Sequence, residues 1–565
     1  MRTKSFMLIA SILLVLSIPP TFYLLRRGFY EPHDLHHFAD IYEMVRALAS
    51  GQIPPRWGPD FSFNFGYPLF NFYYVLPFYL AALTFFISGS VITAFKSVFL
   101  VSIILSVFAM YFLLREFTSK WSSMVGSILF LYTPYRAVQI YVRGAMGEAL
   151  ALSLIPLVAW GIVRLVKNPK NLKLVTGVSL IVTLFILSHN YLWALTIPWL
   201  VLLPFIVVDI KRIKKSFIPL LGVVLLSLGI SAYWWLPALM EQKLITPTTP
   251  FPLIDHFPFV RQLIIPSWGY GSSVWGPGDG MSFQIGVVNL GVFILFSLIL
   301  IFKRNLLKDK KIFKISLWAF VGFLANFLLM NIRTYPLWRI IPFHDFIQFP
   351  WRLLIFTTFF TGCMSAILVE ALGKKGKLAG SLIILGSIIL TFNYFRPSKI
   401  YYTSDNDYLS RFFADRTLTG SKNTISQSYL EYSEDYLLLP KWTEKRPSGL
   451  PSEKIESDAA DVINIQEINP IHWKADLITK NKIAKIKFNS YYFPGWYTRL
   501  DGRIIDTTFA EPNGQLEFEV PQGKHTVEIY WKETPLRKFA DYLSVISLIC
   551  ALAIIWKNYK RNEAS

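Results

Sequence analysis

The chain has 565 residues, of which 53% are hydrophobic and only 16% are charged, and its formal net charge is +20. Soluble domains carry about 25% charged residues, so this composition excludes an ordinary soluble protein. The basic residues collect in short connections between apolar segments, so the positive charge gives no reason to predict a nucleic-acid partner.

Apolar segments long enough to cross a bilayer recur through the first 395 residues and return near the C-terminus. A helix needs about 20 such residues to cross the hydrocarbon, and only helices or closed barrels satisfy the backbone there. The segments comprise residues 5–24, 68–88, 92–114, 145–166, 173–187, 191–208, 216–237, 284–302, 312–331, 350–371, 377–395 and 538–556, with 121–138 as a weaker candidate. The sequence therefore predicts a polytopic α-helical membrane protein with about 12–14 transmembrane helices.

Short basic connections determine the predicted orientation, because the positive-inside rule assigns them to the cytoplasm. They comprise residues 211–215, 303–314, 374–377 and 557–561. The loops at 238–283 and 333–349 and the long segment 397–537 then face outside. Arg115 and Lys120 also lie in a short connection, which conflicts with two separate crossings in the region 68–114. Either segment 68–88 or segment 92–114 is re-entrant, or Arg115 and Lys120 do not mark a cytoplasmic connection.

Beyond residue 396 the apolar runs shorten and turn residues separate them. Asp501-Gly502 and Asn513-Gly514 supply the positive φ angles that tight hairpins need. The predicted strands comprise residues 462–468, 471–478, 482–489, 496–500, 503–506, 515–520 and 525–531. A short helix is expected near Asp405–Ala414 in otherwise irregular chain.

Three domains follow from these patterns. Residues 1–396 form a multi-span transmembrane domain whose first outer loop is 26–67. Residues 397–537 form an extracytoplasmic, mainly β domain, which we expect to be a β-sandwich. Residues 538–565 form a final transmembrane helix and a basic cytoplasmic tail.

The first outer loop contains the run Glu31-Pro32-His33-Asp34-Leu35-His36-His37. Ionisable groups at a membrane boundary are costly, so this run is a candidate for chemistry. A carboxylate at Asp34, held against apolar walls, is expected to have a raised pKa and to act as a base. The alternative is that Asp34 caps the amphipathic helix predicted over 38–50.

Three histidines and Asp40 in this loop are also typical of metal ligands. His33 and His37 are four residues apart and would share one face of a helix. Imidazoles are equally common in polar interfaces, and no second ligand set with a diagnostic spacing appears elsewhere in the sequence. No cofactor is therefore assigned, and a divalent metal remains the alternative.

Glu148 lies where an outer loop re-enters an apolar segment, five residues after Arg143. An acid just inside a spanning helix is a functional candidate by default. The alternative is a structural ion pair between Arg143 and Glu148 that fixes the end of the helix. The two interpretations are compatible.

Arginines on the outer side are candidates for binding an anion, because the positive-inside bias disfavours them there. A guanidinium binds phosphate through two hydrogen bonds and offsets charge that grows on a leaving phosphate. The alternative for any single arginine is snorkelling to lipid headgroups. The predicted substrate- or phosphate-binding residues are Arg143, Arg333 and Arg352, with His33, His37 and Arg56.

Several short motifs occur in a fixed order, namely His33-Asp34-Leu35, Pro54-Pro55-Arg56-Trp57, Gly66-Tyr67-Pro68, Tyr141-x-Arg143-Gly144-Ala145 and Glu148. This order resembles the bacterial and archaeal membrane proteins called 6-pyruvoyl-tetrahydropterin synthase-related. Later motifs look like both that group and YfhO-like membrane proteins, namely Phe349-Pro350-Trp351-Arg352 and Tyr492-Phe493-Pro494-Gly495-Trp496. Both groups are similar to the GT-C glycosyltransferase superfamily. The family name implies no pterin chemistry, since the zinc-binding histidine set of that soluble enzyme is missing from the sequence.

The resemblance implies a GT-C-like transmembrane domain and an inverting transfer of a sugar from a polyprenyl-phosphate donor to a glycan, lipid or protein acceptor of the cell envelope. Asp34 would deprotonate the acceptor hydroxyl on the outer face of the cytoplasmic membrane. Arg143, Arg333 and Arg352 would stabilise the departing phosphate, and Glu148 would orient a substrate hydroxyl or pair with Arg143. The first loop has no adjacent acidic pair, so the resemblance leaves metal dependence open.

Two other classes of function compete with a transferase. One is a carrier or flippase for polyprenyl-linked lipid or glycan, which would place charges in the centres of several spans; here the charges cluster at span ends and in outer loops. The other is a non-catalytic protein of cell-envelope assembly that presents the β domain. It would tolerate the loss of Asp34, Glu148 and Arg352 but not the loss of residues 397–537.

Overall fold

The computed structural model describes residues 2–246, 251–307, 309–341, 344–413 and 438–563, without the side chains of 2–5, 345–346 and 557–563. Its helices of ten or more residues are α1 (Arg2–Leu25), α2 (His37–Ala49), α3 (Leu76–Ser88), α4 (Val91–Leu114), α5 (Lys120–Leu131), α6 (Met146–Lys167), α7 (Leu172–Ser188), α8 (Leu192–Val207), α9 (Ile210–Ile230), α10 (Ala232–Glu241), α11 (Val287–Phe302), α12 (Lys310–Leu329), α13 (Leu354–Ala371), α14 (Gly376–Thr391) and α15 (Pro535–Glu563). Shorter helical segments include Phe61–Asn64, Leu69–Phe72, Pro134–Ala137, Val138–Arg143, Leu253–His256, Val260–Ile264, Ile332–Thr334, Tyr335–Trp338, His344–Ile347, Pro350–Leu353 and Asp405–Leu409.

The described ranges contain 8 helices that are long and apolar enough to cross a membrane. The shorter apolar helices α3, α7, α8 and α11 have 13, 17, 16 and 16 residues. A helix of 13 residues is about 20 Å long, well below the thickness of the hydrocarbon. The predicted polytopic helical fold is confirmed, with 8 long candidate spans and four shorter apolar helices among the described residues.

The connections that follow α4, α6 and α13 meet at one end of the helix bundle, which we call the basic end. Lys167, at the end of α6, forms an ion pair with Glu116, which follows α4. The N–H of Ser119 donates a hydrogen bond of 2.8 Å to Glu370 Oε2 near the end of α13. Arg115 and Lys120 therefore lie at the same end as the other basic connections.

Helix α3 does not reach the basic end. It begins just after Tyr74, whose ring stacks on His189 with centroids 5.3 Å apart. It ends just before α4, at whose N-terminus the N–H of Val91 donates a hydrogen bond of 2.7 Å to Asp405 Oδ2. His189 follows α7 and Asp405 follows α14, so both ends of α3 lie at the opposite end of the bundle, which we call the loop end. Segment 68–88 is therefore not a crossing, which removes the conflict with the basic residues after α4.

The C-terminal strands form one antiparallel sheet. They are β1 (Ile455–Glu456), β2 (Ala460–Asn469), β3 (His472–Tyr491), β4 (Trp496–Leu500), β5 (Arg503–Ile505), β6 (Thr508–Ala510) and β7 (Gln515–Trp531). The order is β1-β3-β7-β4-β5, with β2 also paired to β3 and β6 to β7. The register of β3 against β7 shifts between Thr479 and Ile483. Trp473 and Phe488 lie on either side of this shift with ring centroids 6.0 Å apart, so the two halves of the sheet face each other as in a sandwich.

Two predicted strand breaks are wrong. Segments 471–478 and 482–489 belong to the single strand β3, and 515–520 and 525–531 belong to β7. The residues between them form a bulge that the two strands share rather than a turn, so the pairing resumes on the far side. The hairpin turn at Asp501-Gly502 is confirmed, with φ angles of 50° and 83°.

The other predictions in this region have mixed outcomes. The expected helix ends at Leu409, and Ala414 lies outside the described residues, as do the side chains of the basic C-terminal tail. Tyr491 and Trp496 are buried in the core of the β domain. These two rings therefore pack inside the domain.

The β domain rests on the first loop at the loop end of the bundle. The N–H of Tyr491 donates to Phe65 O at 3.0 Å, and the hydroxyl of Ser490 donates to the same oxygen at 2.9 Å. Lys454 donates to Asn64 O at 2.9 Å. These hydrogen bonds fix the end of the first loop, at Asn64 and Phe65, against the β domain.

Candidate functional site

The first loop is attached to the segment before α6 by main-chain hydrogen bonds. The N–H of His33 donates to Val142 O at 3.0 Å, and the N–H of Asp34 donates to Arg143 O at 2.8 Å. Residues Val138–Arg143 form a turn of π-helix, a feature frequent at functional sites. These contacts place the Asp34 carboxylate beside the Arg143 guanidinium, although the two residues are far apart in sequence.

Gly144 permits this close approach. Its φ of +68° lies in the left-handed region, and a Cβ at this position would lie 2.6 Å from Pro32 Cγ. A side chain would therefore strain the backbone and push the first loop away. The spacing of Arg143 and Asp34 depends on a glycine here.

Glu148 lies between two arginines. Its Oε2 accepts hydrogen bonds from Arg143 Nη1 at 2.6 Å and from the Tyr135 hydroxyl at 3.0 Å, and its Oε1 accepts one from Arg352 Nε at 2.6 Å. On the other side of Arg143, Nη2 lies 3.8 Å from Asp34 Oδ2. The four groups form a sequence of alternating charge, Asp34–Arg143–Glu148–Arg352, which we call the charged row. The predicted Arg143–Glu148 pair is confirmed, and Arg352 joins it.

Aromatic rings and carbonyl groups fix both guanidinium groups. Arg352 donates to Ile347 O at 2.6 Å and to the Tyr191 hydroxyl, and it lies 4.7 Å from the centroid of the Phe349 ring. The guanidinium of Arg143 lies 4.6 Å from the centroid of the Trp351 ring. Such contacts stabilise a buried cation and fix the plane in which it can offer hydrogen bonds.

Asp34 is the exposed member of the charged row. Its side chain is 29% exposed, whereas that of Glu148 is 2% exposed. Burial favours the neutral acid, but Arg143 and the neighbouring histidines outweigh it and lower the pKa of Asp34. The predicted raised pKa is therefore wrong. Asp34 is an accessible, ionised carboxylate, the form that can accept a proton.

Asp34 is also not the side-chain cap of the following helix. Helix α2 begins at His37, so His36 occupies the capping position, and its side chain makes no capping hydrogen bond. The main-chain oxygen of Asp34 accepts a hydrogen bond from the N–H of His37 at 3.2 Å, which leaves the carboxylate to face Arg143. The alternative prediction, that the Asp34 side chain caps the following helix, is therefore wrong.

The histidines of the first loop divide into two groups. His33 is exposed, and its Nε2 lies 3.0 Å from Tyr270 O. His37 is buried, with Nδ1 3.1 Å from Asp40 Oδ2 and Nε2 3.2 Å from the Tyr74 hydroxyl. The predicted pairing of His33 with His37 on one helical face does not form, because the helix begins only at His37. One donor atom each from His36, His37 and Asp40 lie within 4.8 Å of one another.

Two predicted anion-binding arginines lie elsewhere. Arg56 is buried, and its guanidinium donates to Asp541 Oδ1 at 2.8 Å and to Tyr233 O at 2.6 Å, which ties the first loop to α10 and α15. Arg333 lies in an exposed turn after α12, and the described residues show no hydrogen bond or ion pair between it and the charged row. The charged row contains only Arg143 and Arg352 of the predicted arginines.

Sequence reasoning missed the tyrosines that complete the site. Tyr135 and Tyr191 donate to or contact the charged row, and Tyr74 contacts His37. Each of these tyrosines lies next to a break between helices. Tyr135 follows Pro134, Tyr191 follows His189-Asn190, and Tyr74 lies just before α3. Burial lowers the pKa of His189 to about 3, so its imidazole is neutral and packs against Tyr74.

This chain is similar in sequence to a protein from a lactic acid bacterium. A protein of Lactococcus lactis subsp. cremoris (strain MG1363) that is described only as uncharacterized is 24% identical over 339 residues, which cover 58% of this chain and 54% of that protein. The chain thus spans about half the length of this curated relative.

Three solved structures are similar to part of this chain. They are the arabinofuranosyltransferase AftD from Mycobacteria (11% identity, 71% of this chain and 27% of that chain, TM-score 0.43), ArnT from Cupriavidus metallidurans (14%, 65% and 60%, TM-score 0.38) and the Archaeoglobus fulgidus oligosaccharyltransferase complex with Zn and sulfate (12%, 78% and 58%, TM-score 0.42).

The family model of the 6-pyruvoyl-tetrahydropterin synthase related domain, which describes a membrane protein, matches residues 70–397. The matched region begins at the end of the first loop and includes Arg143, Glu148 and Arg352, so three of the four groups of the charged row lie inside it. The resemblance seen in the motifs is confirmed. The chain belongs to the 6-pyruvoyl-tetrahydropterin synthase-related family of membrane proteins.

Proposed function

We propose that this protein is a membrane glycosyltransferase that moves a sugar from a polyprenyl-phosphate donor to a glycan, lipid or protein acceptor. The observation that carries the proposal is the charged row: an accessible carboxylate, Asp34, lies beside two buried arginines that share Glu148. A base next to fixed cations suits a reaction in which a hydroxyl loses a proton while a phosphate departs.

In the proposed reaction the acceptor hydroxyl gives its proton to Asp34. The hydroxyl oxygen forms a bond to the anomeric carbon as the bond from that carbon to the phosphate oxygen breaks. The electron pair of the broken bond leaves with polyprenyl phosphate, and the configuration at the anomeric carbon is inverted. Asp34 suits the role of base because it is the one carboxylate of the charged row with a substantially exposed side chain.

The proposal assigns the leaving phosphate to Arg143 and Arg352. Charge that develops on the phosphate oxygens is stabilised by guanidinium groups whose direction is fixed in advance. The Arg143–Asp34 contact of 3.8 Å is the longest contact in the row, so it is the one that substrate entry would most readily exchange. Glu148 is a positioning residue in this scheme, because it is buried and holds both arginines.

The proposed orientation places the basic end in the cytoplasm and the loop end outside the cytoplasmic membrane. The positive-inside rule supports this assignment, since the short connections at the basic end carry the lysines and arginines. The β domain, which rests on the first loop, then lies outside the cell. A hydrophobic donor would reach the charged row from the lipid phase between helix ends.

The experiment uses the purified full-length protein in lipid nanodiscs with synthetic polyprenyl-phosphate hexoses. The measured quantity is free polyprenyl phosphate, which transfer or hydrolysis releases and which a carrier or flippase leaves attached to its sugar. The wild-type protein is expected to release it in the presence of an acceptor. Asp34→Asn is expected to lower the rate by at least about 100-fold, the lower range for loss of a general base.

Glu31→Gln is the matched control. Glu31 lies in the same loop, its side chain is 30% exposed, and it forms an ion pair of 2.9 Å with Arg411 outside the charged row. This variant removes an equally exposed acid three residues away and should keep the wild-type rate. Release of polyprenyl phosphate by Asp34→Asn at the rate of Glu31→Gln would refute the proposed base.

A further inference from the structure

We propose that His36, His37 and Asp40 bind one divalent transition-metal ion of the zinc type, with a coordination position left open. This inference concerns a group of residues outside the charged row and does not depend on the transferase reaction. Each residue supplies one donor atom, and these atoms lie within 4.8 Å of one another. Two imidazoles and one carboxylate form the ligand set of a known class of zinc sites whose fourth position holds water or substrate.

The distances suit a tetrahedral site. Ligand atoms bound to zinc at about 2.0–2.1 Å lie about 3.3 Å apart in that geometry. His37 Nδ1 lies 3.1 Å from Asp40 Oδ2, and His36 Nε2 lies 3.9 Å from the same oxygen. These two separations fall on either side of the tetrahedral value, and the His36 and His37 donors are at most 4.8 Å apart, so side-chain rotation has to close about 1.5 Å at most.

The backbone holds these donors in place before any ion arrives. His37 and Asp40 lie in the first turn of α2, and His36 occupies the position before it. His36 and Asp40 are four residues apart and therefore face the same side of the helix. Because α2 is packed into the core through Phe38, Ile41 and neighbouring apolar residues, the three donors cannot drift apart as they would in a loop.

Tyr74 provides a second, independent observation. Its hydroxyl lies 3.2 Å from His37 Nε2, which directs the other ring nitrogen, Nδ1, towards Asp40. Metal-bound histidines almost always have a partner on the nitrogen that does not bind the ion, because this partner fixes the tautomer and the ring orientation. The ring of Tyr74 is itself fixed by its stacking on His189.

The local charge also favours a cation. Asp34 and Asp40 place two carboxylates near the three histidines of this loop, and carboxylate oxygens together with imidazoles are ligands that zinc accepts. The soft sulfur ligands of copper(I) sites are not part of this group, and the imidazoles disfavour Mg²⁺ and Ca²⁺, which prefer oxygen.

The test measures zinc binding itself, with ZnCl₂ as the only added ligand. The full-length protein in nanodiscs is stripped with a chelator, incubated with zinc, freed of unbound metal and analysed by elemental mass spectrometry and by titration. One zinc per chain is expected for the wild type. Cobalt(II) should give the visible absorption of a four-coordinate site at the same stoichiometry.

Three variants and one control follow from the contacts. His36→Gln and Asp40→Asn each remove a donor and should raise the zinc Kd by at least about 10-fold, and Tyr74→Phe should raise it by about 10-fold. His525→Gln is the matched control, because His525 pairs with Asp501 at 2.7 Å on the β domain and should leave the Kd unchanged.

His36 is partly exposed, so His36→Gln keeps the test valid where Asp40→Asn fails to fold. The proposal is overturned by wild-type protein that retains no more than a trace of zinc. It is equally overturned by unchanged zinc affinity in folded His36→Gln, or by an affinity loss in His525→Gln as large as in the donor variants.

Discussion

The charged row makes a specific prediction for Glu148→Gln. This change leaves the size of the side chain nearly constant but removes the one charge that Arg143 and Arg352 share. Loss of one partner from a buried ion pair destabilises a protein by about 3–5 kcal/mol, because the remaining charge stays buried without compensation. Arg352 loses its carboxylate partner and Arg143 keeps only the longer contact of 3.8 Å with Asp34, so we expect a loss within that range.

Thermal unfolding of the purified protein in nanodiscs measures the effect. Glu31→Gln, which removes a partly exposed ion pair, should destabilise by only about 1 kcal/mol and serves as the comparison. Adding Arg352→Gln to Glu148→Gln restores the charge balance and should recover part of the lost stability. In a double-mutant cycle, the double variant should therefore be more stable than the sum of the two single effects predicts. A melting temperature for Glu148→Gln equal to that of Glu31→Gln, without recovery in the double variant, would contradict a shared buried charge.

Three further predictions follow from single contacts. Gly144→Ala should lower both the transfer rate and the melting temperature, because the new Cβ would displace Pro32; wild-type values for both would argue against the close approach. Arg56→Gln should destabilise the protein by about 3–5 kcal/mol, because Asp541 loses its partner, and unchanged thermal unfolding would disprove this role. Burial and the neighbouring carboxylate raise the pKa of Glu43, so the folded protein keeps its proton while the unfolded chain ionises above about pH 4.5. Stability therefore falls as pH rises past that value, and Glu43→Gln should raise the melting temperature more at pH 8 than at pH 5; an equal shift at both would refute the assignment.

The sequence was sufficient for the features that depend on local pattern. Long apolar runs identify the helical membrane fold, and Asp501-Gly502 identifies a hairpin through its need for positive φ. The Arg143–Glu148 pair is also local, since both residues flank the start of α6. The continuity of β3 and β7 was not predictable in the same way, because a bulge shared by two paired strands looks like a turn when one strand is considered alone.

Contacts between distant segments were beyond sequence reasoning. Arg352 reaches Glu148 across 204 positions, and only the packing of α13 against the helices around α6 brings them together. The same limitation applies to Arg56, which the sequence places near the first-loop motifs but which lies 2.8 Å from Asp541, 485 positions away. The pKa of Asp34 was misjudged for the same reason: its apolar walls were visible in the sequence, whereas the guanidinium beside it was not.

The most direct measurement is a single-turnover comparison of Asp34→Asn with Glu31→Gln, both loaded with the same polyprenyl-phosphate hexose and acceptor. The rate constant for formation of the new glycosidic bond is followed by chromatography of the product. We predict a rate constant at least about 100-fold lower for Asp34→Asn, with donor binding retained through Arg143 and Arg352. Equal rate constants in the two variants would show that the exposed carboxylate beside Arg143 takes no part in the reaction.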